Sequence, residues 1–291
     1  MIQLSNGHSF EYVAASGALA YDGQGWPWEW PFRWLGLIDP SLFTIVTKTL
    51  TAQPKAGNLR WLHPWTCVKS LSKGVVNAIG LTNPGLDWWL SHIAPRLKKL
   101  PYSSYSLVCS ITEDNPQILR EMVLKLDSVP IKAIEFNASC PNTHQEIHSN
   151  TQLVVKLARL LCQNSRHPIF IKLSATQDYL QIAKQLETQV QALAINSVPW
   201  SLIFPNQASP LQKLGGGGVS GKIAQKFTWK MVEELAGHTT IPVMGPGVWD
   251  YEDLATLRKL GAKAFSFGSI FMCYPWRPTS FIQMDRCENG G

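Results

Sequence analysis

Short apolar runs alternate along this chain with longer segments in which apolar residues recur every three or four positions. The runs have the length of buried strands, and the segments between them have helical spacing. Strands that alternate with helices indicate parallel β/α architecture, and eight strands suffice to close a barrel. The pattern therefore predicts an α/β fold, the (β/α)8 TIM barrel, with strands at Tyr12–Ala15, Phe43–Thr47, Tyr105–Ile111, Ala133–Asn137, Pro168–Leu173, Leu193–Asn196, Pro242–Gly245 and Ala264–Gly268.

The helical segments support the same architecture. The segment that begins at Thr151 places Leu153, Val154, Leu157 and Leu161 on one stripe, as a helix packed on a sheet requires. No linker or shift in composition divides the chain, so residues 1–291 are predicted to form a single domain. Helices are predicted at Asn115–Leu126, Thr151–Asn164, Tyr179–Gln189, Thr228–Ala236 and Tyr251–Lys259, with a short final helix over Thr279–Cys287.

Residues 25–34 do not follow this rhythm, because they carry four Trp and two Pro. Two prolines in so short a span exclude a regular helix interior. A rigid aromatic surface of this kind suits a partner interface or a lid over a ligand. The alternative is that the rings pack beneath a long connection after the first strand.

Composition changes the picture mainly by exclusion. Hydrophobic residues make up 45% of the chain and charged residues 16%, which suits a large buried core. The net charge of +6 could attract nucleic acid, anionic lipid or a small anionic ligand. The basic residues form no run of five or more, so no nucleic-acid partner is expected. No apolar run approaches the ~18 residues of a membrane span, so no membrane partner is expected either.

The six cysteines show no paired spacing and no CxxC motif. This pattern argues against an iron–sulfur cluster or a structural zinc site, so no metal is expected in the chain. It also argues against a disulfide framework, and the N-terminus has no apolar signal core. We therefore expect a reducing compartment, the cytoplasm. The cysteines are Cys67, Cys109, Cys140, Cys162, Cys273 and Cys287.

The most informative stretch is 134–142, where a predicted strand leads into Asn137, Cys140 and Asn142. Pro141 cannot extend a central strand, so a loop is predicted there. Two carboxamides can pair with a planar polar ligand, and the thiol between them can accept a proton. The stretch indicates a base above a flat heterocycle. A buried, inert thiol is the usual alternative for a lone cysteine.

This stretch resembles the signature of the dihydroorotate dehydrogenase family: an Asn, two residues, a Cys or Ser, then Pro-Asn. Cys140 at the Cys or Ser position resembles the soluble class 1 enzymes. The sequences of 47–51 and 77–85 look most like those of the NAD-linked branch. The resemblance covers roughly residues 12–270. Its further motifs, in family order, are Thr47–Thr51, Gly57–Asn58, Asn77–Gly85, Ile171–Ser174, Ile195–Ser197, Gly217–Gly221 and Phe267–Ser269.

The resemblance implies an FMN-dependent oxidation of (S)-dihydroorotate to orotate in de novo pyrimidine biosynthesis. Cys140 would remove the C5 proton while FMN takes the C6 hydride. The implied substrate-binding positions are Lys48, Asn77, Ile79, Gly80, Leu81, Asn137, Asn142, Asn196 and Ser197. The implied cofactor-binding positions are Ala15, Ser16, Gly17, Lys48, Thr49, Asn137, Lys172, Ile195, Gly221, Gly245, Gly247, Gly268 and Ser269.

Two lysines and a glycine run add to this interpretation. Lys48 and Lys172 end apolar runs, where a lysine is costly to bury, so each is predicted to face a ligand unless it snorkels to the surface. The glycine-rich run 215–222 matches nucleotide-binding patterns only by chance, because the first βα unit has neither fingerprint. In the resemblance it belongs to a phosphate-binding loop; a flexible loop is the alternative.

Departures from the family pattern leave alternatives open. Residues 143–148 replace the usual glycines and hydrophobics, and Gln225-Lys226 stands where a Lys-Pro pair is common. The alternatives are a non-catalytic or substrate-altered FMN-binding barrel, or a dihydropyrimidine- or dihydrouridine-type flavin reductase. The resemblance implies a homodimer, with electrons passed to fumarate or, through a separate flavin and iron–sulfur subunit, to NAD.

Overall fold

A computed structural model describes residues 1–60, 62–139 and 150–289 of the chain. Most of its strands are short, and they belong to three sheets. In chain order they are β1 (Ile2–Gln3), β2 (Ser9–Phe10), β3 (Tyr12–Ala14), β4 (Thr44–Val46), β5 (Val68–Leu71), β6 (Gly74–Asn77), β7 (Ser106–Ile111), β8 (Ala133–Asn137), β9 (Ile169–Leu173), β10 (Ala192–Ile195), β11 (Val198–Pro199), β12 (Gly218–Gly221), β13 (Met244–Pro246) and β14 (Ala264–Phe267).

The largest sheet is the predicted barrel. Its eight parallel strands follow the order β10-β9-β8-β7-β4-β3-β14-β13, so the first barrel strand, β3, pairs with the last, β14. A parallel bridge between Leu193 and Val243 joins β10 to β13 and closes the ring. The α/β (β/α)8 prediction is confirmed, and all eight predicted strands form with ends within two residues of their predicted positions.

Helices cover the outside of the barrel, and the five predicted between its strands all form. Asn115, Asn150 and Asp178 begin three of them by accepting hydrogen bonds from backbone N–H groups, which satisfies donors that the first turn leaves unpaired. The final helix is longer than predicted. The helices are Trp30–Trp34, Leu86–His92, Pro116–Leu126, Thr151–Asn164, Tyr179–Gln185, Trp200–Ile203, Gln225–His238, Asp253–Lys259, Ile270–Cys273 and Arg277–Asn289.

The N-terminal hairpin of β1 and β2 closes one end of the barrel. Ile2, Leu4 and Phe10 are buried in one cluster with side chains that point into the barrel from its strands. Asn6 donates a hydrogen bond to the carbonyl of Lys132, which directly precedes β8. The hairpin therefore lies at the amino ends of the strands, and the open end is the carboxyl end, where barrels keep their chemistry.

A small antiparallel sheet, absent from the sequence prediction, stands at the open end. Its strands follow the order β11-β12-β6-β5, and Gly218 of β12 pairs with Asn77 of β6. Residues 218–221 of the glycine-rich run form β12, whereas Gly215, Gly216 and Gly217 precede the strand. Among the described residues no helix is both long and apolar enough to cross a membrane.

Candidate active site

The carboxyl ends of the barrel strands and the small sheet surround a cavity of about 550 Å³. This volume lies within the roughly 300–1,000 Å³ of small-molecule and cofactor sites. The floor of the cavity is formed by residues that point inward from the strands, among them Val13, Val46, Ala194 and Met244. The walls are polar, and their side chains are held by hydrogen bonds.

A chain of buried hydrogen bonds crosses one wall. The ammonium of Lys172 lies 2.6 Å from Oε1 of Glu135, and the Ser110 hydroxyl donates to the same oxygen at 2.7 Å. Ser110 Oγ is 2.9 Å from the Thr49 hydroxyl, which accepts from Nδ2 of Asn137 at 3.1 Å. The network fixes a cation, a carboxylate and a carboxamide against one another before any ligand binds.

The alternation of strand residues explains this network. Glu135 and Asn137 are two positions apart on β8, so both side chains point into the barrel. Lys172 is directly opposite Asn137 in the pairing of β8 with β9. The side chains of Lys172 and Glu135 are only 9% and 3% exposed. Burial of two charges is costly, and the short contact between them offsets that cost.

Ser139, two residues after the end of β8, orients two carboxamides. Its hydroxyl donates to Oδ1 of Asn137 at 2.7 Å, and its carbonyl accepts from Nδ2 of Asn196 at 3.2 Å. Oδ1 of Asn196 accepts in turn from the backbone N–H of Ser197. The amide groups at the ends of β8 and β10 are thereby held at the cavity wall.

The turn after β6 supplies the facing wall. Leu81 has a φ of 58°, a conformation that a branched side chain rarely adopts. Asn83 holds this turn by donating to the Leu81 carbonyl at 2.7 Å, and Asn58 donates to the carbonyl of Ala78 at 2.8 Å. The neighbouring Gly80 also has a positive φ. Strained backbone of this kind is retained where surrounding contacts enforce it, commonly at ligand sites.

Trp26 and Trp28 form an aromatic edge of the cavity. Their rings stack with centroids 5.5 Å apart, and Trp26 Nε1 donates to the carbonyl of Gly17 at 2.9 Å. Glu29 accepts a hydrogen bond from the Trp26 backbone. Burial raises the pKa of the Glu29 carboxyl to about 8, although the Trp26 N–H and the Arg33 charge act in the opposite direction. Trp28 is exposed and Trp26 is partly buried, and the role of the segment as a partner interface or lid stays a prediction.

The family model for dihydroorotate dehydrogenase matches residues 34–274 of the chain. This match spans most of the sequence and includes the hydrogen-bond network and the turn after β6, although Val13, Trp26 and Trp28 precede it. The chain belongs to the dihydroorotate dehydrogenase family.

Two relatives whose names give different electron acceptors have the same sequence identity to this chain. The catalytic subunit of dihydroorotate dehydrogenase B (NAD(+)) from Listeria welshimeri is 30% identical over 243 residues, covering 81% of this chain and 77% of the relative. A Pediococcus pentosaceus protein named for dihydroorotate dehydrogenase A (fumarate) is 30% identical over 237 residues, covering 78% and 76%.

A solved structure of the same family supports the fold. Ligand-free DHODH from Eimeria tenella superposes with a TM-score of 0.65 at 17% identity, and the match covers 85% of this chain and 78% of that one. At this identity the likeness concerns the barrel architecture alone.

The structure brings almost all of the predicted site residues of this dihydroorotate dehydrogenase to one cavity. Gly245 is not on its wall: a Cβ there would lie 2.7 Å from Leu257, so the glycine permits close packing of a helix on β13. Cys140 and Asn142 lie outside the described residues. The predicted residues on the wall are Ala15, Ser16, Gly17, Lys48, Thr49, Asn77, Ile79, Gly80, Leu81, Asn137, Lys172, Ile195, Asn196, Ser197, Gly221, Gly247, Gly268 and Ser269.

Three residues of the hydrogen-bond network at the site were not predicted: Glu135, Ser110 and Ser139. The sequence did contain a signal for Glu135. Residues two positions apart on a strand point to the same face, so a carboxylate two positions before Asn137 must point into the barrel with it. Ser110 and Ser139 gave none, since a serine in a strand or loop is usually unremarkable in sequence. Their roles follow only from the neighbours that the barrel provides.

Proposed function

We propose that this cavity binds FMN together with dihydroorotate, and that the chain oxidises dihydroorotate to orotate there. The reaction is that of its family and belongs to pyrimidine biosynthesis. The observation that carries the proposal is the buried Lys172–Glu135 pair beside Asn137 in a cavity of about 550 Å³. A preorganised cation next to amide donors suits a flat ring that gains negative charge.

The residues on the wall fit FMN. Lys48, Thr49, Asn137 and Lys172 offer ammonium, hydroxyl and amide donors to a heterocycle. Gly247, Gly268 and Ser269 follow the seventh and eighth barrel strands, where barrels of this class commonly bind phosphate. Gly268 has no side chain, so its backbone is open to the cavity. A Cβ at this position would make an ordinary 3.4 Å contact with Ala15. When bound, FMN supplies N5 as the acceptor of the C6 hydride.

Cys140 is the proposed base. It follows Ser139, which contacts both Asn137 and Asn196, so the chain enters 140–149 from a fixed point on the cavity wall. The thiolate takes the C5 proton of dihydroorotate, and the C5–C6 bond of orotate becomes double as the C6 hydride leaves. The ordinary thiol pKa of about 8.5 suits this role near neutral pH. Asn77, Asn142, Asn196 and the turn at 79–81 hold the substrate ring and its carboxylate.

The two electrons taken from dihydroorotate pass from the flavin to fumarate or to a partner subunit. The relatives named as catalytic subunits imply association with a further subunit in that branch. For this chain we propose a homodimer in the cytoplasm, with a separate flavin and iron–sulfur subunit if the acceptor is NAD. A relative of the fumarate type is equally identical, so similarity does not choose between the two.

An anaerobic titration tests the proposal. Protein reconstituted with FMN should lose its visible flavin absorption on addition of roughly one equivalent of dihydroorotate per flavin, and should recover it with fumarate or, given the partner, NAD. Cys140→Ala should abolish this bleaching at neutral pH, and Cys140→Ser should slow it. Ser139→Ala is the matched control at the neighbouring position, where loss of a positioning contact should slow but not abolish reduction.

Two outcomes would contradict the proposal. Flavin that binds tightly but is not bleached by dihydroorotate would favour a non-catalytic or substrate-altered barrel. Bleaching that survives intact in Cys140→Ala would remove Cys140 from the reaction while leaving the cavity as the site.

A further inference from the structure

Gln225 is a buried glutamine that ties a helix to the turn after β13. It is the first residue of the helix Gln225–His238. Its Nε2 donates to the carbonyl of Gly247 at 2.9 Å and to Oδ2 of Asp253 at 2.8 Å. A carbonyl oxygen can only accept a hydrogen bond, so the amide nitrogen must face this side. Gln225 is also one of the positions at which the chain departs from the family pattern, so the motif does not explain these contacts.

Asp253 holds the same turn through its backbone. Its Oδ2 accepts from the N–H groups of Trp249 and Asp250 at 2.8 and 2.9 Å, in addition to the amide of Gln225. The carboxylate is buried, and neither Asp253 nor Gln225 is on the cavity wall. Three donors around one oxygen compensate the burial of this carboxylate. The two side chains therefore form a polar support behind the turn.

The supported turn, 247–250, lies against the end of β12. A Cβ on Gly247 would lie 3.7 Å from the carbonyl oxygen of Gly221, and a Cβ on Gly221 would lie 2.9 Å from the ring of Trp249. Both glycines line the cavity, whereas the Trp249 ring is buried. The turn and the strand end thus meet at the cavity wall, and a shift of the turn would change the shape of the wall there.

This part of the wall offers backbone donors to a ligand. Among the residues that the structure describes, no protein atom accepts a hydrogen bond from the N–H groups of Gly247 and Val248. The same holds, within those residues, for the N–H groups of Gly268 and Ser269. All four residues line the cavity. Backbone N–H groups of neighbouring turns are the donors with which many proteins bind phosphate.

We propose that Gln225 and Asp253 are positioning residues that hold the turn 247–250 where its N–H groups bind the terminal phosphate of FMN. The proposal rests on the proposed function, because it requires FMN in the cavity. It goes further by assigning the preference for FMN over riboflavin, which lacks the phosphate, to two residues that do not touch the ligand. It also accounts for the departure at position 225, because Gln and the more common Lys both carry N–H donors for the same two acceptors.

The dissociation constants of the full-length protein for FMN and for riboflavin test the proposal, measured by fluorescence titration after removal of bound flavin. Gln225→Met keeps the length of the side chain but loses both donors. It should weaken FMN binding roughly ten-fold or more and leave riboflavin binding unchanged. Gln225→Asn is too short to reach either acceptor and should have the same effect, which keeps the test decisive if Gln225→Met does not fold. Gln225→Lys retains donors and should bind FMN as the wild type does.

Gln191 provides the matched control. Its Oε1 accepts from the backbone N–H of Ser5 at 2.8 Å, and its Nε2 donates to the Ser5 hydroxyl at 2.6 Å. This contact ties the N-terminal hairpin to the other end of the barrel, so Gln191→Met should change neither dissociation constant.

Three outcomes would contradict the proposal. Gln225 variants that weaken FMN and riboflavin equally, or that weaken neither, would overturn it, because a merely structural role does not distinguish the two flavins. Wild-type protein that binds riboflavin as tightly as FMN would overturn it while leaving the cavity as a flavin site. Wild-type protein that binds neither flavin would contradict the proposed function, and this proposal with it.

Discussion

At the scale of single residues, the Lys172–Glu135 pair is the most consequential contact in the site. Removal of one partner leaves a charge buried without compensation. We expect Glu135→Ala to lower the free energy of unfolding by about 3–5 kcal/mol. Glu135→Gln should lose less, because its amide oxygen can still accept from Ser110 and Lys172. Urea denaturation measures both.

Exposed Glu121 provides the control for this pair of variants. Glu121→Ala should change the free energy of unfolding by less than about 0.5 kcal/mol. Equal stability of Glu135→Ala and the wild type would show that the buried pair does not hold this wall together.

Glu29 predicts a dependence of stability on pH. Its pKa is raised in the folded protein, by burial, from an ordinary 4.5 to about 8. Between these values the unfolded carboxyl is ionised while the folded one retains its proton, so unfolding releases a proton. Stability from this group is complete below the ordinary pKa and falls as pH rises to about 8, by up to about 1.4 kcal/mol per pH unit.

Glu29→Gln isolates this effect from other titrating groups. The difference in free energy of unfolding between Glu29→Gln and wild type should shift in favour of the variant as pH rises from 5 to 8 (roughly the interval between the two pKa values). Denaturation at several pH values measures it. A difference that does not vary with pH would contradict the raised pKa.

At the scale of elements, the small sheet depends on glycine. A Cβ on Gly217 would lie 2.6 Å from the carbonyl oxygen of Asn77, whereas one on Gly215 would meet nothing within 4 Å. Both have nearly the same positive φ, 82° and 84°. Gly215→Ala should therefore cost only the backbone strain of about 1–2 kcal/mol. Gly217→Ala should cost more and weaken FMN binding, because β12 must move away from β6.

Stability and FMN affinity of the two alanine variants, measured side by side, decide the point. Identical losses in both would show that the strain of the φ angle, and not the approach of β12 to β6, determines the need for glycine.

The elements of the barrel were predictable because their apolar runs have a clear period. The elements that the sequence did not predict have no such period. β1 and β2 have two residues each, and β12 is Gly-Val-Ser-Gly, so neither offers an alternation to detect. Trp30–Trp34 forms a helix despite its proline because Pro31 occupies the first turn, where no N–H is needed.

The candidate site was predictable to a different extent. Motif residues such as Asn137, Lys172 and Asn196 were found because their spacing is specific. The pairing of Lys172 with Glu135 depends on the register of β8 against β9, which no local pattern encodes. The exposure of Trp34 and Leu35 depends likewise on where the chain turns after β3.

At the scale of the whole molecule, the barrel separates a structural end from a ligand-binding end. Phe10 of the hairpin is 6% exposed, and its ring lies 5.7 Å from that of Phe170. Phe10→Ala should lower the free energy of unfolding by about 3–5 kcal/mol. The FMN dissociation constant of the folded variant should not change, because the cavity is at the opposite end. A weaker FMN affinity, measured by fluorescence titration, would mean that the two ends are coupled.

The position of the hairpin also has a consequence for how the protein is made. Ile2, Leu4 and Phe10 are synthesised before the barrel strands, yet the pocket that receives them is complete only when β14 has been synthesised and has paired with β3. These apolar side chains therefore remain without their native neighbours until the last strand has been translated. During that interval the nascent chain is at its most vulnerable to aggregation and is a natural client for chaperones.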